Sequence, residues 1–226
     1  MPKKVVLCFL AVVLSAALLL TGCGGGTTTE QPGESSVKAS SDKGGELAKL
    51  FAKAKTVDEL YYELVIMKDD KEEVRTKSWV KGTRMRHEMT VNDQTTITIF
   101  DTAKGEYIVY SEDANKATRT TYDPQDESRL GPYGPPSSYS DTFEDALSSM
   151  KIVGTETYDG HKCKVIALYE EDGQDAGKMW VSEKYGIPLR IVDETNGITI
   201  EYKNLKVGSI SDDVFKLPAG IEIWDY

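Results

Sequence analysis

Cys23 stands at a position where its thiol can be modified covalently. Lys3 and Lys4 precede an apolar run over residues 5–20, and Leu20-Thr21-Gly22-Cys23 completes the segment. A basic start, a short apolar stretch and small residues before a cleavage point follow the order of a secretion signal. The tetrapeptide matches the lipobox of bacterial lipoprotein signals. We therefore expect cleavage before Cys23 and a diacylglycerol joined to its sulfur by a thioether.

The alternative for this segment is a transmembrane helix. The apolar run has only about 16 residues, whereas a span needs about 20. Residues 24–43 are almost without apolar side chains and cannot bury enough surface to offset the entropy lost on ordering. The sequence predicts three parts: a signal peptide over 1–22, the acylated cysteine with a flexible tether over 23–43, and a folded domain over 44–226.

The rest of the chain offers little catalytic chemistry. It has two histidines, His87 and His161, and neither belongs to a metal-binding, nucleophile or phosphate-binding motif. The acidic turn from Asp172 places a glycine and a glutamate where a calcium loop has them. It lies between predicted strands, however, and Ala176 occupies a ligand position. We predict a protein that is not an enzyme and that needs no metal or cofactor.

Charge and cysteine content restrict the partners further. The net charge of −10 repels phosphates, so we expect no nucleic-acid partner and no charge-driven docking on anionic lipids, and the lipid on Cys23 must tether the domain to the membrane. Beyond the tether the domain has one thiol, Cys163, which excludes an internal disulfide. Because Cys163 alternates with Val165 and Ala167, we predict that it is buried and unreactive.

Hydrophobic periodicity predicts the elements of the domain. A helix over Glu46–Lys55 has an apolar stripe, and a second helix is predicted over Thr142–Met150. Between and after them come about nine or ten antiparallel strands joined by hairpin turns. One strand, over Thr83–Val91, places Met85, His87 and Met89 on one face. The predicted class is α+β, a curved antiparallel sheet with two helices against one face.

In this order the pieces resemble the lipoprotein-localisation superfamily, which includes the carrier LolA, the anchored acceptor LolB and lipid-binding mycobacterial lipoproteins. The resemblance covers most of residues 46–220 and depends on the order of the pieces more than on any one of them. The matching segments are Trp79–Glu88, Asp101 with Gly105–Tyr107, Tyr158–Cys163, Met179–Val181, Gly186–Arg190 and Phe215–Gly220. The resemblance implies an open half β-barrel, covered by two helices, that encloses a pocket for acyl chains.

Flexible thioethers suit such a pocket because they adapt to chains of several shapes, although each could equally be ordinary core. The candidates for the pocket are Met67, Met85, Met89, Ile97, Ile99, Met150 and Met179. Leu130, isolated in a Pro/Gly-rich stretch, is the candidate for a loop that touches the membrane.

The resemblance implies an extracytoplasmic protein anchored to the cell membrane, or to an outer membrane if the host has two. Its ligand would be a lipid, an acyl chain or an acylated protein, in a role in lipid or lipoprotein trafficking. The alternative is a regulatory lipoprotein of the cell envelope that senses stress through a protein partner.

Overall fold

The computed structural model describes residues 43–112, 114–123, 143 and 146–226. The signal peptide, Cys23, Leu130 and the predicted tether over residues 23–43, apart from its last residue, lie outside the described residues, so these remain predictions. The last tether residue, Lys43, is helical, so the helix begins three residues before the predicted Glu46. No helix among the described residues is long and apolar enough to cross a membrane.

Helix α1 spans Lys43–Ala52 and continues into a 3₁₀ turn at Lys53–Thr56. Two more 3₁₀ turns follow later, at Leu147–Ser149 and Asp212–Phe215. The strands are β1 (Glu59–Lys68), β2 (Lys71–Lys81), β3 (Arg84–Val91), β4 (Gln94–Asp101), β5 (Glu106–Ser111), β6 (Lys116–Thr121), β7 (Met150–Tyr158), β8 (His161–Tyr169), β9 (Asp175–Ser182), β10 (Pro188–Asp193), β11 (Ile198–Val207) and β12 (Glu222–Asp225).

The described strands form one sheet, in the order β12-β6-β5-β4-β3-β2-β1-β11-β10-β9-β8-β7. Most neighbours in the sheet are successive in the chain, so the sheet is built from antiparallel hairpins. β1 lies in the middle and pairs with β2 and with β11. All described strand pairs are antiparallel except that of β12 with β6, which is parallel and lies at the edge of the sheet. The sheet is large, curved and open, as predicted.

Turn residues explain why the hairpins form where they do. Asn92 and Asp93 have φ of 51° and 63°, and Asp159 and Gly160 have φ of 47° and 77°. Positive φ at both central residues gives the turn whose twist matches that of paired strands, and asparagine, aspartate and glycine adopt it at low cost. Both hairpins were predicted from these residues.

Helix α1 is explained by the spacing of its apolar residues. Leu47, Leu50, Phe51 and Ala54 recur every three or four positions and are all buried, with exposures of 2, 6, 1 and 1%. This stripe faces the sheet, so the predicted first helix is confirmed. Its regular part ends at Ala52, three residues before the predicted end, because the last turn tightens into a 3₁₀ turn.

Two features differ from the prediction. The helix expected over Thr142–Met150 is not found to that extent: Met150 begins β7, and Leu147–Ser149 is a 3₁₀ turn. Phe143 and Ala146 are helical, while 142, 144 and 145 lie outside the described residues. Among the described residues α1 is therefore the one α-helix of several turns, instead of the two predicted. The described part also has twelve strands, more than the nine or ten predicted.

The sheet has two faces, which we call inner and outer. The inner face carries the side chains of Leu60, Tyr62, Leu64 and Ile66 on β1, and Phe143 packs on it. Three clusters of buried apolar residues result. The central cluster lies on the inner face around β1 and includes Met85, Phe100 and Tyr202. The helix-covered cluster joins α1 to β7, β8 and β9. The tail-covered cluster lies on the outer face, between β4–β6 and the C-terminal tail.

Candidate functional site

The inner face changes character along the sheet. Under α1 its buried part is apolar, because Leu47, Leu50 and Phe51 pack against Ile166 and Met179. Past β1, towards β6, hydroxyl groups and a histidine join the apolar side chains. The two halves of the same face are therefore chemically different.

His87 lies at the centre of the second half. It is 5% exposed, and its Nδ1 lies 2.9 Å from the hydroxyl oxygen of Ser78 on the neighbouring strand. The ring of Phe100 meets it edge-on at 5.7 Å. The hydroxyl group of Thr76, one step along β2 on the same face, is also buried. His87 is thus a buried, hydrogen-bonded histidine, as predicted, and it places a polar group inside the fold.

Met85 and Met89 stand on either side of His87 on β3. Met85 is buried at 2% exposure and belongs to the central cluster, while Met89 is only partly buried. Strand pairing extends this surface to β4 and β5: Met89 pairs with Thr96, and His87 pairs with Thr98. Val109 of β5 in turn pairs with Thr98. These side chains share one face because directly paired residues point the same way.

Two further pocket candidates lie on the other half of the inner face. Met150 and Met179 are 8% and 1% exposed and pack in the helix-covered cluster with Leu50 and Phe51. The ring of Phe143 lies 4.9 Å from that of Phe51. These two methionines belong to the surface on which α1 packs. They share the inner face with Met85 and Met89 but belong to a different cluster.

The remaining candidates face the other way. Ile97 pairs with Glu88 and Ile99 with Arg86, whereas Met85 pairs with Phe100. Both isoleucines therefore point to the outer face, where Phe215, Leu217 and Ile221 of the C-terminal tail pack against their cluster. Met67 alternates with the inner-face residue Ile66 and is partly exposed. The structure does not bring these three together with the inner-face methionines.

Cys163 is buried, as predicted. It is fully buried, at 0% exposure, and its sulfur donates a long hydrogen bond of 3.5 Å to the carbonyl of His161. Burial raises the pKa of its thiol to about 11, because a thiolate there would lose its hydration. Among the described residues no group of three or more histidine, cysteine or acidic side chains is placed to hold a metal ion.

A polar cluster on the outer face was not predicted from the sequence. Glu201 is 5% exposed, accepts a 2.6 Å hydrogen bond from the Tyr158 hydroxyl group and lies 2.8 Å from the Lys203 ammonium. Burial opposes ionisation, but Lys203 and Tyr158 together hold the pKa of Glu201 below its usual value. The guanidinium of Arg190 lies 5.1 Å from the centre of the Trp180 ring. The alternation of apolar and polar residues in β11 predicted that Glu201 would be a solvated side chain.

No protein-family profile matches the chain. One curated protein, MJ0687 of Methanocaldococcus jannaschii, is 42% identical over 79 residues, which are 33% of this chain and 23% of that protein. It is itself uncharacterized. The chain spans about a quarter of that relative's length, so nothing about the whole relative carries over.

Solved structures give broader similarity. An uncharacterized conserved protein from Thermus thermophilus is similar at a TM-score of 0.51 and 9% identity, over 80% of this chain and 99% of that one. At this identity the likeness shows the fold alone. The complex of MucB with MucA(peri) includes a chain similar at a TM-score of 0.47 and 11% identity, over 78% of this chain and 60% of that one.

The lipoprotein LppX of Mycobacterium tuberculosis is similar at a TM-score of 0.44 and 14% identity, over 74% of this chain and 99% of that one. Scores below 0.5 are too distant to carry an argument about function.

Proposed function

We propose that this chain is an extracytoplasmic lipoprotein, tethered by a lipid on Cys23, that binds an acyl chain on the inner face of β2–β5. The observation that carries the proposal is the unequal cover of that face. Helix α1 packs on β7–β9, whereas Met89, Thr96, Thr98 and Val109 remain partly exposed at the other half. A face that served only as core would bury these side chains.

The chemistry of this half suits an amphipathic ligand. Met89 and Val109 offer apolar surface, and a methionine side chain adapts its shape to what it contacts. The partly exposed hydroxyl groups of Thr96 and Thr98 offer polar partners for a headgroup. Each buried methylene contributes about 0.8 kcal/mol, so burying ten contributes about 8 kcal/mol. That corresponds to a dissociation constant of about 1 μM before ordering costs.

The direct test uses residues 24–226, which contain every described residue, expressed without the signal. We expect mass spectrometry of an organic extract to find co-purified lipid, and a fluorescent fatty acid to bind with micromolar affinity. A diacylated lipopeptide should compete if the natural ligand is an acylated protein. No bound lipid and no uptake of the probe would refute the proposal.

Two tryptophan variants locate the site. Val109→Trp fills the inner face at β5 and should weaken probe binding at least tenfold. Val153→Trp makes the same substitution on edge strand β7, where the side chain is 51% exposed, and should leave binding unchanged. Equal affinities for both variants would place any lipid elsewhere on the molecule.

A separate experiment tests whether Cys23 is acylated. Cells given an alkyne-labelled palmitate should incorporate the label into the wild-type chain, and Cys23→Ala should abolish incorporation. Fractionation should find the wild-type protein in the membrane. Unlabelled wild-type protein would show that Cys23 is not acylated, whatever the inner face binds.

A second candidate function, a regulatory contact with an envelope protein, is favoured by the edge of the sheet at β12. Trp224 and Tyr226 there are 55% and 97% exposed, and an edge strand presents backbone groups for pairing. A photo-crosslinker at residue 224 should capture one defined membrane protein, and the same group at residue 153 on the opposite edge should not. Identical products from both positions would exclude this candidate.

A further inference from the structure

An open cavity of about 600 Å³ lies on the outer face, away from the proposed lipid site. Its walls come from the middle of the sheet: Tyr61 on β1, Lys77 and Trp79 on β2, Lys206 on β11 and the chain that follows over residues 207–210. The volume falls in the range of small-ligand sites, about 300–1,000 Å³. The cavity therefore has room for a ligand of two or three rings.

Two aromatic rings form its floor. Tyr61 and Trp79 are directly paired across β1 and β2, and their ring centres lie 5.1 Å apart. The Tyr61 hydroxyl group donates a 3.0 Å hydrogen bond to Glu63, which fixes the ring. Burial, reinforced by Glu63, raises the pKa of Tyr61 to about 12, so the phenol stays neutral. Both rings remain partly exposed, so they present a fixed surface for stacking.

Positive charge at the cavity exceeds negative charge. The carboxylate of Glu63 is already paired with Arg75 at 3.0 Å, and that of Glu88 with Arg86 at 2.6 Å. No described carboxylate lies within 4.0 Å of the ammonium of Lys77 or Lys206; the Lys206 ammonium lies 5.6 Å from the centre of the Tyr61 ring. Lys77 is the cross-strand neighbour of Glu63 and Glu88, but both carboxylates are bonded to arginines. Two lysines without a salt bridge to a described residue therefore lie beside partly exposed aromatic rings in a chain of net charge −10.

We propose that this outer-face cavity binds an acidic sugar, a short segment of a carboxylated polysaccharide. The apolar C–H face of a sugar ring would stack on Trp79 and Tyr61, and its carboxylate would lie between Lys77 and Lys206. The indole N–H of Trp79 has no hydrogen-bond partner among the described residues and would donate to a sugar hydroxyl group. An anionic membrane is disfavoured because its extended surface would also face the acidic remainder of the protein, whereas a short sugar segment contacts the cavity alone.

The test is isothermal titration calorimetry on the full chain in a zwitterionic detergent, with a trimer of galacturonic acid as the probe. We expect saturable binding that weakens at least tenfold between 20 and 200 mM salt, since the carboxylates must contact the two lysines. Maltotriose, which has the rings without the charge, should bind at least tenfold more weakly. Acetate and inorganic phosphate, which have charge without rings, should not compete at equal concentration.

Variants distinguish binding in the cavity from attraction by the overall charge of the protein. Lys77→Gln with Lys206→Gln, and separately Trp79→Ala, should each lower the affinity at least tenfold, while Trp79→Phe retains part of it. The matched control, Lys151→Gln with Lys178→Gln, makes the same charge change on β7 and β9 and should bind as wild type. Melting temperatures show whether each variant is folded.

Three outcomes would overturn the proposal. Equal loss in the control pair would mean that only net charge matters. Competition by phosphate at the affinity of the sugar acid would leave an anion site and no sugar site. No binding to the folded wild-type chain would exclude acidic sugars represented by this probe. None of these results bears on the inner face, so the lipid proposal stands or falls separately.

Discussion

Gly186 fixes the position of α1 and offers the sharpest test of the fold. It lies between β9 and β10 with φ +68°, and its N–H donates a 2.8 Å hydrogen bond to the Ser182 carbonyl. A methyl group at this position would overlap the backbone carbonyl oxygen of Leu50 and would lie 3.1 Å from the backbone nitrogen of Ala54. Gly186→Ala should therefore push α1 away from the sheet.

The size of the effect can be separated into two terms. Left-handed backbone costs an alanine about 1 kcal/mol relative to glycine. Overlap with backbone atoms, which cannot rotate aside, adds about 1–3 kcal/mol. Gly82 isolates the first term: its φ is +56° and a methyl group there would meet nothing within 4 Å. Gly82→Ala should lower the unfolding free energy by about 1 kcal/mol, and Gly186→Ala by about 3 kcal/mol.

Urea unfolding followed by circular dichroism measures both variants against wild type. Hydrogen exchange adds a local readout: amide protection over residues 47–54 should fall in Gly186→Ala and stay unchanged in Gly82→Ala. If the two variants lose the same free energy, or if residues 47–54 keep their protection, the contact between Gly186 and α1 does not hold the helix.

Three other predictions concern charged and sulfur groups. Glu201→Ala removes the carboxylate that pairs with Tyr158, Lys203 and, at 3.7 Å, Arg190. Because these partners are themselves partly exposed, the unfolding free energy should fall by about 2 kcal/mol; a loss below about 1 kcal/mol in urea unfolding would contradict this. Lys81 and Arg84 lower the pKa of Asp212 to about 2, so its stabilising effect should be full above pH 4 and disappear towards pH 2. NMR titration would refute this with a midpoint near 3.8. Native Cys163 should resist iodoacetamide at pH 8 and react only in urea, as peptide mass spectrometry would show.

Alternation and turn residues were enough to predict much of the sheet. Met85 and His87 were assigned to one buried face, and both are buried. The helix stripe of Leu47, Leu50 and Phe51 was also predicted correctly. These features are local: they depend on side-chain periods of 2 and 3.6 residues, which the sequence displays directly.

Ile97 and Ile99 were assigned to the pocket from the sequence, but both point to the outer face, because the register of β4 depends on the length of the turn before it. A three-residue turn over Asn92-Asp93-Gln94 would place Ile97 opposite Met89, on the inner face. The structure has a two-residue turn, with Val91 paired to Gln94, so Ile97 pairs with Glu88. A shift of one residue moves every side chain of a strand to the other face.

Long-range pairing was beyond the sequence as well. β12 is four residues long and pairs in parallel with β6, about a hundred positions earlier in the chain. The outer-face cavity likewise depends on β11 returning to lie beside β1, which places Lys206 next to Tyr61. No local pattern marks either contact.

The sequence alone determined the class of element at most positions and the burial of Cys163 and His87, because these follow from short periodicities and residue chemistry. The secretion signal and the acylation of Cys23 are its predictions still to be tested. Only the tertiary structure decided which strands are neighbours, which face each strand presents, and that α1 covers one half of the inner face. Those features depend on register and on contacts between distant segments, and side-chain periodicity contains no information about either.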